Sequence, residues 1–268
     1  MIYETTVTAH IARLFDGWEE TIIWSCLQGV MGKLYANDTE NPTAVMAILA
    51  DFAFFAGRPD AELAAYKPEW CRQDFIILVP QNDAWKELLL RCYGTKATIV
   101  TRYAFHKEPD IFDIKKLEKI VSRLPADCDL SIIDEHFYNL CRAESWSRDL
   151  VAQFKDYETF HRLGTGVVLH KNHVILSGAS SYTRYREGIE VEIDTREDFR
   201  RQGFACLCGA KLILECRKQN LYPSWDAQNA ASAALAQKLG YRFSHTYTAI
   251  EIRGYLDAAL SRYAGILP

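Results

Sequence analysis

Between Ile189 and Lys218 the chain passes from strict alternation into a helical pattern through a turn containing one glycine, and this passage constrains the fold more than any other stretch. Ile189, Val191 and Ile193 alternate with Glu190, Glu192 and Asp194, the two-residue period of a strand with one apolar and one acidic face. Thr195 to Ala205 follows, carrying Arg196, Arg200, Arg201, Gln202 and Gly203. Cys206 to Lys218 then sets Leu207, Ala210 and Leu214 on one side, with Leu212, Ile213 and Cys216 widening the buried face. A strand that ends in a tight turn opening a helix leaves several amide N–H groups unpaired at the positive end of the helix dipole. Such a corner suits a diphosphate: Gly203 lets the ligand approach backbone without a Cβ in the way, and the arginines add charge. Taken alone, an Arg-x-x-Gly-x-Ala match is also what a merely structural loop produces.

The remaining sequence alternates helical and strand patterns, which predicts an α/β fold with a mixed sheet. Ile11 to Tyr35 has apolar residues at helical spacing and reads as one long amphipathic helix; Asn37 to Pro42 breaks it; Ala44 to Phe55 reads as a buried strand. Asp74 to Val79 and Ala97 to Phe105 are further strands, and Asp83 to Cys92 (with Asp83 as N-cap) and Asp113 to Arg123 are helices. Leu124 to Asp127 is the expected boundary between domains 1–127 and 128–268. Beyond it come a strand at Leu130 to Ile133, short helices at Glu135 to Cys141 and Arg148 to Phe154, and a hairpin from Gly166 to Tyr182 turning at Lys171-Asn172.

Composition narrows the function. With 31 basic and 35 acidic residues the formal charge is −4, so no overall field draws the chain to nucleic acid or an anionic membrane surface. Eight scattered cysteines lack zinc-site spacing and disulfide-scaffold density, and Cys206 and Cys208 point apart on one helix. A cytoplasmic setting and no metal are the expectation. Met1-Ile2-Tyr3-Glu4 does not open a signal peptide, and no window approaches the ~20 apolar residues of a membrane span.

A second element follows the first at a fixed distance. Leu221 to Trp225 is strand-like, Asp226 to Asn229 leads into a helix over Ala230 to Leu239, and Gly240-Tyr241 closes it. Arg200-x-x-Gly203-x-Ala205, then Asn229-x-x-Ser232 with Leu239-Gly240-Tyr241, resembles the two coenzyme-A-binding motifs of the GNAT superfamily of N-acetyltransferases. The likeness spans about residues 128 to 252. Ser177 to Tyr182, Glu190 to Thr195 and Trp225 to Asn229 are similar to a bacterial subgroup that carries an additional N-terminal α/β half. It implies a GNAT acyl-CoA N-acyltransferase fold in the second half. The first half would be a degenerate GNAT-like unit, without a matching loop, that packs or shapes the substrate.

The resemblance implies acetyl-CoA as co-substrate and a small-molecule or peptide amine as acceptor, with neither nucleic acid nor membrane as partner; homodimer formation is left open. It places the cofactor on Ile193, Thr195, Arg200, Arg201, Gln202, Gly203, Phe204, Ala205, Asn229 and Ser232, with the amides of Ile193 and Thr195 polarising the thioester carbonyl. Asn229 and Ser232, three apart on one helix face, are read as ligand contacts before caps, and Asp226 as a turn or cap. An alkylammonium must lose its proton before attack, which asks for a base. Glu192 is the first candidate, as the carboxylate expected nearer the point where strands part, and Glu190 the second; His170, His173 and His245 are alternatives. Many GNAT enzymes protonate the leaving thiolate with a Tyr seven residues after the Asn, where this chain has Ala236. Tyr182, Tyr222, Tyr241 and Tyr247 lie in the same half. The missing Tyr is the one feature that favours a catalytically silent acyl-CoA-binding protein. An aminoacyl transferase using transfer RNA would need a basic surface that this composition does not supply.

Overall fold

The structure, a computed structural model, describes residues 1–255. It divides into two compact units, Met1–Arg102 with Tyr247–Tyr255, and Tyr103–Thr246. The division therefore falls inside a strand near residue 102 rather than at Leu124–Asp127, and the expected end of the second domain, 256–268, lies outside the described residues.

The first unit contains β1 (Tyr3–Thr5), α1 (Ala9–Leu14), α2 (Thr21–Leu27), β2 (Lys33–Ala36), β3 (Ala44–Leu49), β4 (Phe52–Gly57), α3 (Ala61–Ala65), β5 (Phe75–Pro80), α4 (Asp83–Tyr93) and the start of β6 (Ala97–Phe105). Strands β1 to β5 lie side by side in sequence order. Ile250 to Arg253 pairs antiparallel with β5, Ile250 opposite Leu78, which is why residues far along the chain belong here. Met46, Phe55, Ile76, Leu78, Trp85 and Ile250 meet in the core.

Three expectations in this unit are corrected, the first being the N-cap of α4, which is Asn82, its Oδ1 accepting from Trp85 N at 3.1 Å, with Asp83 already inside the helix. The helix over 11–35 is two short helices and a strand, because Gly17, Gly29 and Gly32 take φ of +77°, +65° and +77° and turn the chain. At Gly32 a Cβ would stand 2.6 Å from Cys26 Sγ and 2.7 Å from the Ile48 carbonyl oxygen, so no other residue fits. The strand over 44–55 is the hairpin β3–β4, with Ala50 at φ +55° in the turn. Gly57, at the end of β4, has φ +83°, and a Cβ there would fall on the Thr43 carbonyl oxygen. Gly57→Ala is expected to destabilise the protein by about 3 kcal/mol, from positive-φ strain plus the clash, read as a drop in the urea midpoint.

The second unit adds α5 (Ile114–Val121), β7 (Asp129–Ile132), α6 (Glu135–Ala143), α7 (Tyr157–Leu163), β8 (Gly166–Lys171), β9 (Val174–Tyr185), β10 (Gly188–Thr195), α8 (Phe204–Lys218), β11 (Tyr222–Ser224), β12 (Asp226–Ala227), α9 (Ala230–Leu239) and β13 (Phe243–Arg253), the last of which runs on into the first unit. Its sheet has the order β11-β10-β9-β8-β7, antiparallel except for the parallel pair β10–β11. The apolar face of this sheet, Val167, Leu169, Ala179 and Ile189, packs on Leu207 and Leu212 of α8. The β8–β9 turn sits one residue later than expected, with Asn172 and His173 at φ +49° and +64°, the two positive angles of a type I′ turn. Of the helix expected over 148–154 only a short turn, Arg148–Leu150, forms. All eight cysteines are free thiols; burial pushes Cys208 up to about 12, as befits a packing residue. No described helix is long and apolar enough to cross a membrane, and no group of three or more His, Cys, Asp or Glu among the described residues could hold a metal ion.

Candidate functional site

The site is built where two neighbouring strands part. β10 pairs with β11 only from Gly188–Tyr222 to Glu190–Ser224, whereas its pairing with β9 continues to Thr195–Ser177. Beyond Glu190, β10 has no partner on the β11 side among the described residues. The β9–β10 register also slips between Glu190 and Val191, with Tyr182 as the extra residue on β9, so β9 bulges beside the point where β11 leaves. Arg196 N donates to Leu176 O of β9 at 3.0 Å. Because strand amides alternate in direction, those of Ile193 and Thr195 face the vacated edge. There each takes the carboxylate of its own preceding residue, Ile193 N to Glu192 Oε1 at 3.1 Å and Thr195 N to Asp194 Oδ1 at 2.6 Å. Both carboxylates are only half-buried, so a ligand carbonyl can replace them while they turn to solvent. Burial raises the Asp194 carboxyl above its ordinary value, the Thr195 amide and Arg200 pulling back against it.

Past Thr195 the chain makes a short turn, Glu197–Phe199, and enters α8. Arg201 (φ +63°) and Gly203 (φ +87°) are both left-handed, and Gly203 serves as the N-cap with no side-chain cap. Cys206 N and Leu207 N bond to Gly203 O. The amides of the five residues Arg201 to Ala205 find no acceptor among the described residues. They lie at the positive end of a 15-residue helix that has no acidic residue in its first turn. A Cβ on Gly203 would meet nothing within 4 Å, so the ground above it is open. Arg200 Nε is tied to Thr195 O at 3.1 Å, which holds this guanidinium between the loop and the vacated edge. Backbone and charge here fit the diphosphate of a nucleotide-tailed carrier.

Alternation sends Glu190, Glu192 and Asp194 to the face opposite α8. Glu190 is 7% exposed, and as the last residue paired with β11 it, not Glu192, stands at the point of parting. The reason for ranking Glu192 first is thereby reversed. The tyrosines are committed elsewhere: Tyr222 Oη donates to His106 O (3.1 Å), Tyr241 Oη to Pro223 O (2.7 Å), and Tyr185 Oη shares a bond with Ser224 Oγ (3.0 Å). Burial pushes Tyr222 up to about 12 and raises Tyr241 well above its ordinary value. Tyr182 is buried, and Tyr247 belongs to the first unit. Ala236 is fully buried in the core between α8 and α9.

Asn229 is the N-cap of α9, its Oδ1 accepting from Ser232 N at 2.9 Å, and Ser232 Oγ accepts from Trp225 Nε1 at 3.1 Å. Capping therefore occupies the carboxamide oxygen that the sequence reading gave first to a ligand. Asp226 lies in β12, opposite Ala104, and is not the cap. Among the histidines, His170 is 6% exposed, bonded through Nε2 to Ser131 Oγ at 2.9 Å and stacked on His173. Its pKa is lowered, first by burial. The folded state thus binds a proton less readily than the unfolded chain. Stability from this group is complete above the ordinary value of 6.5 and is lost as pH falls through the lowered one. Urea unfolding at pH 7 and pH 5 is expected to show a smaller loss on acidification in His170→Gln than in the native chain.

Sequence reasoning passed over Thr183, Ser224 and Tyr185, which flank Glu190. Their partnership depends on strand register, and no local motif signals it. It also passed over a cleft of about 450 Å³ lined by Leu140, Glu144, Trp146, His173, Ile175 and Arg196.

The sequence profile of the GNAT acetyltransferase family matches residues 12–250. An uncharacterized N-acetyltransferase of Bacillus subtilis (strain 168), YdfB, is 27% identical over 248 residues, 87% of this chain and 90% of its own. A crystal structure of a GCN5-related N-acetyltransferase-like protein from Streptococcus suis 89/1591 is 46% identical and superposes with a TM-score of 0.85 over 91% of this chain and 97% of that one. A Drosophila protein at 12% identity and TM-score 0.55 shares the fold alone. The profile takes in most of both units, and the chain belongs to the GNAT acetyltransferase family of N-acetyltransferases.

Proposed function

We propose that the protein transfers the acetyl group of acetyl-CoA to a primary amine by direct attack on the thioester. The observation that carries this reading is the run of unpartnered amides from Arg201 to Ala205, set beside an open strand edge whose next amides are Ile193 and Thr195. The loop amides, with Arg200 and Arg201, hold the diphosphate. The pantetheine arm lies along the vacated edge of β10, and the amides of Ile193 and Thr195 exchange their local carboxylates for its carbonyls and the thioester oxygen. A donor fixed beforehand at the oxygen that gains charge lowers the barrier without reorganisation.

Glu190 is the base that takes the proton of the acceptor ammonium, directly or through one water, before nitrogen attacks. Glu192, released from the Ile193 amide, and Asp194 make the approach anionic and favour a cationic acceptor. With Ala236 in the core and the nearby tyrosine hydroxyls engaged, the attacking nitrogen gives its second proton to solvent as the amide forms, and the departing thiolate takes its proton from solvent. Isothermal titration with acetyl-CoA, followed by thiol release over a panel of primary amines, tests this: saturable one-to-one binding with amine-dependent release is expected. Absence of binding, or binding without release for any amine, contradicts it.

A further inference from the structure

One buried hydroxyl beside Glu190 has no use in the fold. Thr183 is fully buried, and its Oγ1 has no hydrogen-bond partner among the described residues. An enclosed hydroxyl left unmet costs about 1–3 kcal/mol, so its retention calls for a reason. Thr183 stands directly opposite Glu190 in the β9–β10 register, and Ser224 stands opposite Glu190 on β11. Directly paired antiparallel residues carry their Cβ atoms about 5 Å apart on the same face. The carboxylate is therefore bracketed by hydroxyls from both neighbouring strands at the last rung before they part. Ser224 Oγ shares a hydrogen bond with Tyr185 Oη, whereas Thr183 Oγ1 has no bond of any kind.

We infer that Thr183 is a positioning residue: its hydroxyl, which makes no direct bond to Glu190, donates to the Glu190 carboxylate through one enclosed water and holds it ionised and aimed at the gap between β10 and β11. This rests on the reading of Glu190 as the base. The other titratable groups around Glu190 are Tyr185 on β9, Tyr222 on β11, Tyr241 beyond it and Glu192 one rung along β10. The three tyrosines are held neutral by burial, so none competes with the carboxylate for protons near neutrality.

The test is a carbon-13 titration of carboxyl-labelled glutamates in the full chain, the Glu190 resonance being identified by its loss in Glu190→Gln. Thr183→Val keeps the shape and removes the hydroxyl. It is expected to move the Glu190 midpoint up by about one pH unit, the weight of one hydrogen bond to a charged group. Thr183→Ser is expected to bring the midpoint back, and serves if the valine variant folds poorly. A midpoint that Thr183→Val leaves within about 0.3 of the native one, against the unit expected of such a bond, overturns the inference. A shifted midpoint together with Glu190→Gln turnover equal to native, in the thiol-release assay with acetyl-CoA and the responding amine, supports the placement of the hydroxyl and overturns the base reading instead.

Discussion

Glu190→Gln is expected to bind acetyl-CoA as the native protein does and to lose about a hundred- to a thousandfold in kcat, the range that a positioned base contributes. The substitution is isosteric and keeps the strand pairing to Thr183 and Ser224. What it removes is the ability to accept the ammonium proton. The loss should shrink as pH rises and the free amine becomes abundant, since an alkyl amine with a pKa near ~10 then needs no base. Glu192→Gln is the internal comparison. Its carboxylate accepts from the Ile193 amide in the unliganded chain and stands one rung past the parting point, so its kcat should fall far less. A larger loss in Glu192→Gln than in Glu190→Gln would restore the order read from sequence.

Gly203→Val is expected to weaken acetyl-CoA binding by about ten- to a hundredfold while leaving kcat at saturation within a few-fold of native. At φ +87° a β-branched residue pays roughly 1–2 kcal/mol to stay left-handed. The chain can escape that cost by rotating the peptide groups that aim the loop amides. The Cβ itself meets no protein atom, so the penalty falls on ligand geometry and modestly on stability, with no packing clash. Isothermal titration reads the affinity and urea unfolding the stability. A variant that binds as tightly as native would show that the turn conformation does not matter to the ligand.

The contrast between these residues shows what the sequence reveals. The β10-to-α8 passage is legible because everything that defines it is local: two-residue alternation, one glycine, then apolar spacing of a helix. The parting point is not legible. It depends on how many residues of β11 pair with β10, and Glu190 rather than Glu192 is seen at that point only once Ser224 is placed opposite it. Thr183 is hidden for the same reason, being 7 residues earlier in sequence and adjacent only through register.

The long helix expected over 11–35 fails because its apolar spacing is real within α1 and α2, but three left-handed glycines between and after them redirect the chain. Nothing marks Ala50 as a turn residue in an apolar run, so β3 and β4 read as one strand. That Tyr247 to Tyr255 belongs with the first unit is not legible either, because Ile250 to Arg253 pairs with Phe75 to Leu78 across more than half of the sequence. Asn229 reads as a ligand contact before a cap because one residue type serves both purposes at a helix start.

The amide cradle is tested most directly by nitrogen-15 amide spectra of the native chain titrated with acetyl-CoA. Binding should produce the largest changes at Arg201, Gln202, Gly203, Phe204 and Ala205, with Ile193 and Thr195 shifting as their side-chain partners are displaced, and Leu176 to Ser181 on β9 nearly still. Saturable binding that leaves those seven amides unmoved, with the changes gathered elsewhere, would contradict the placement of the diphosphate and of the thioester together.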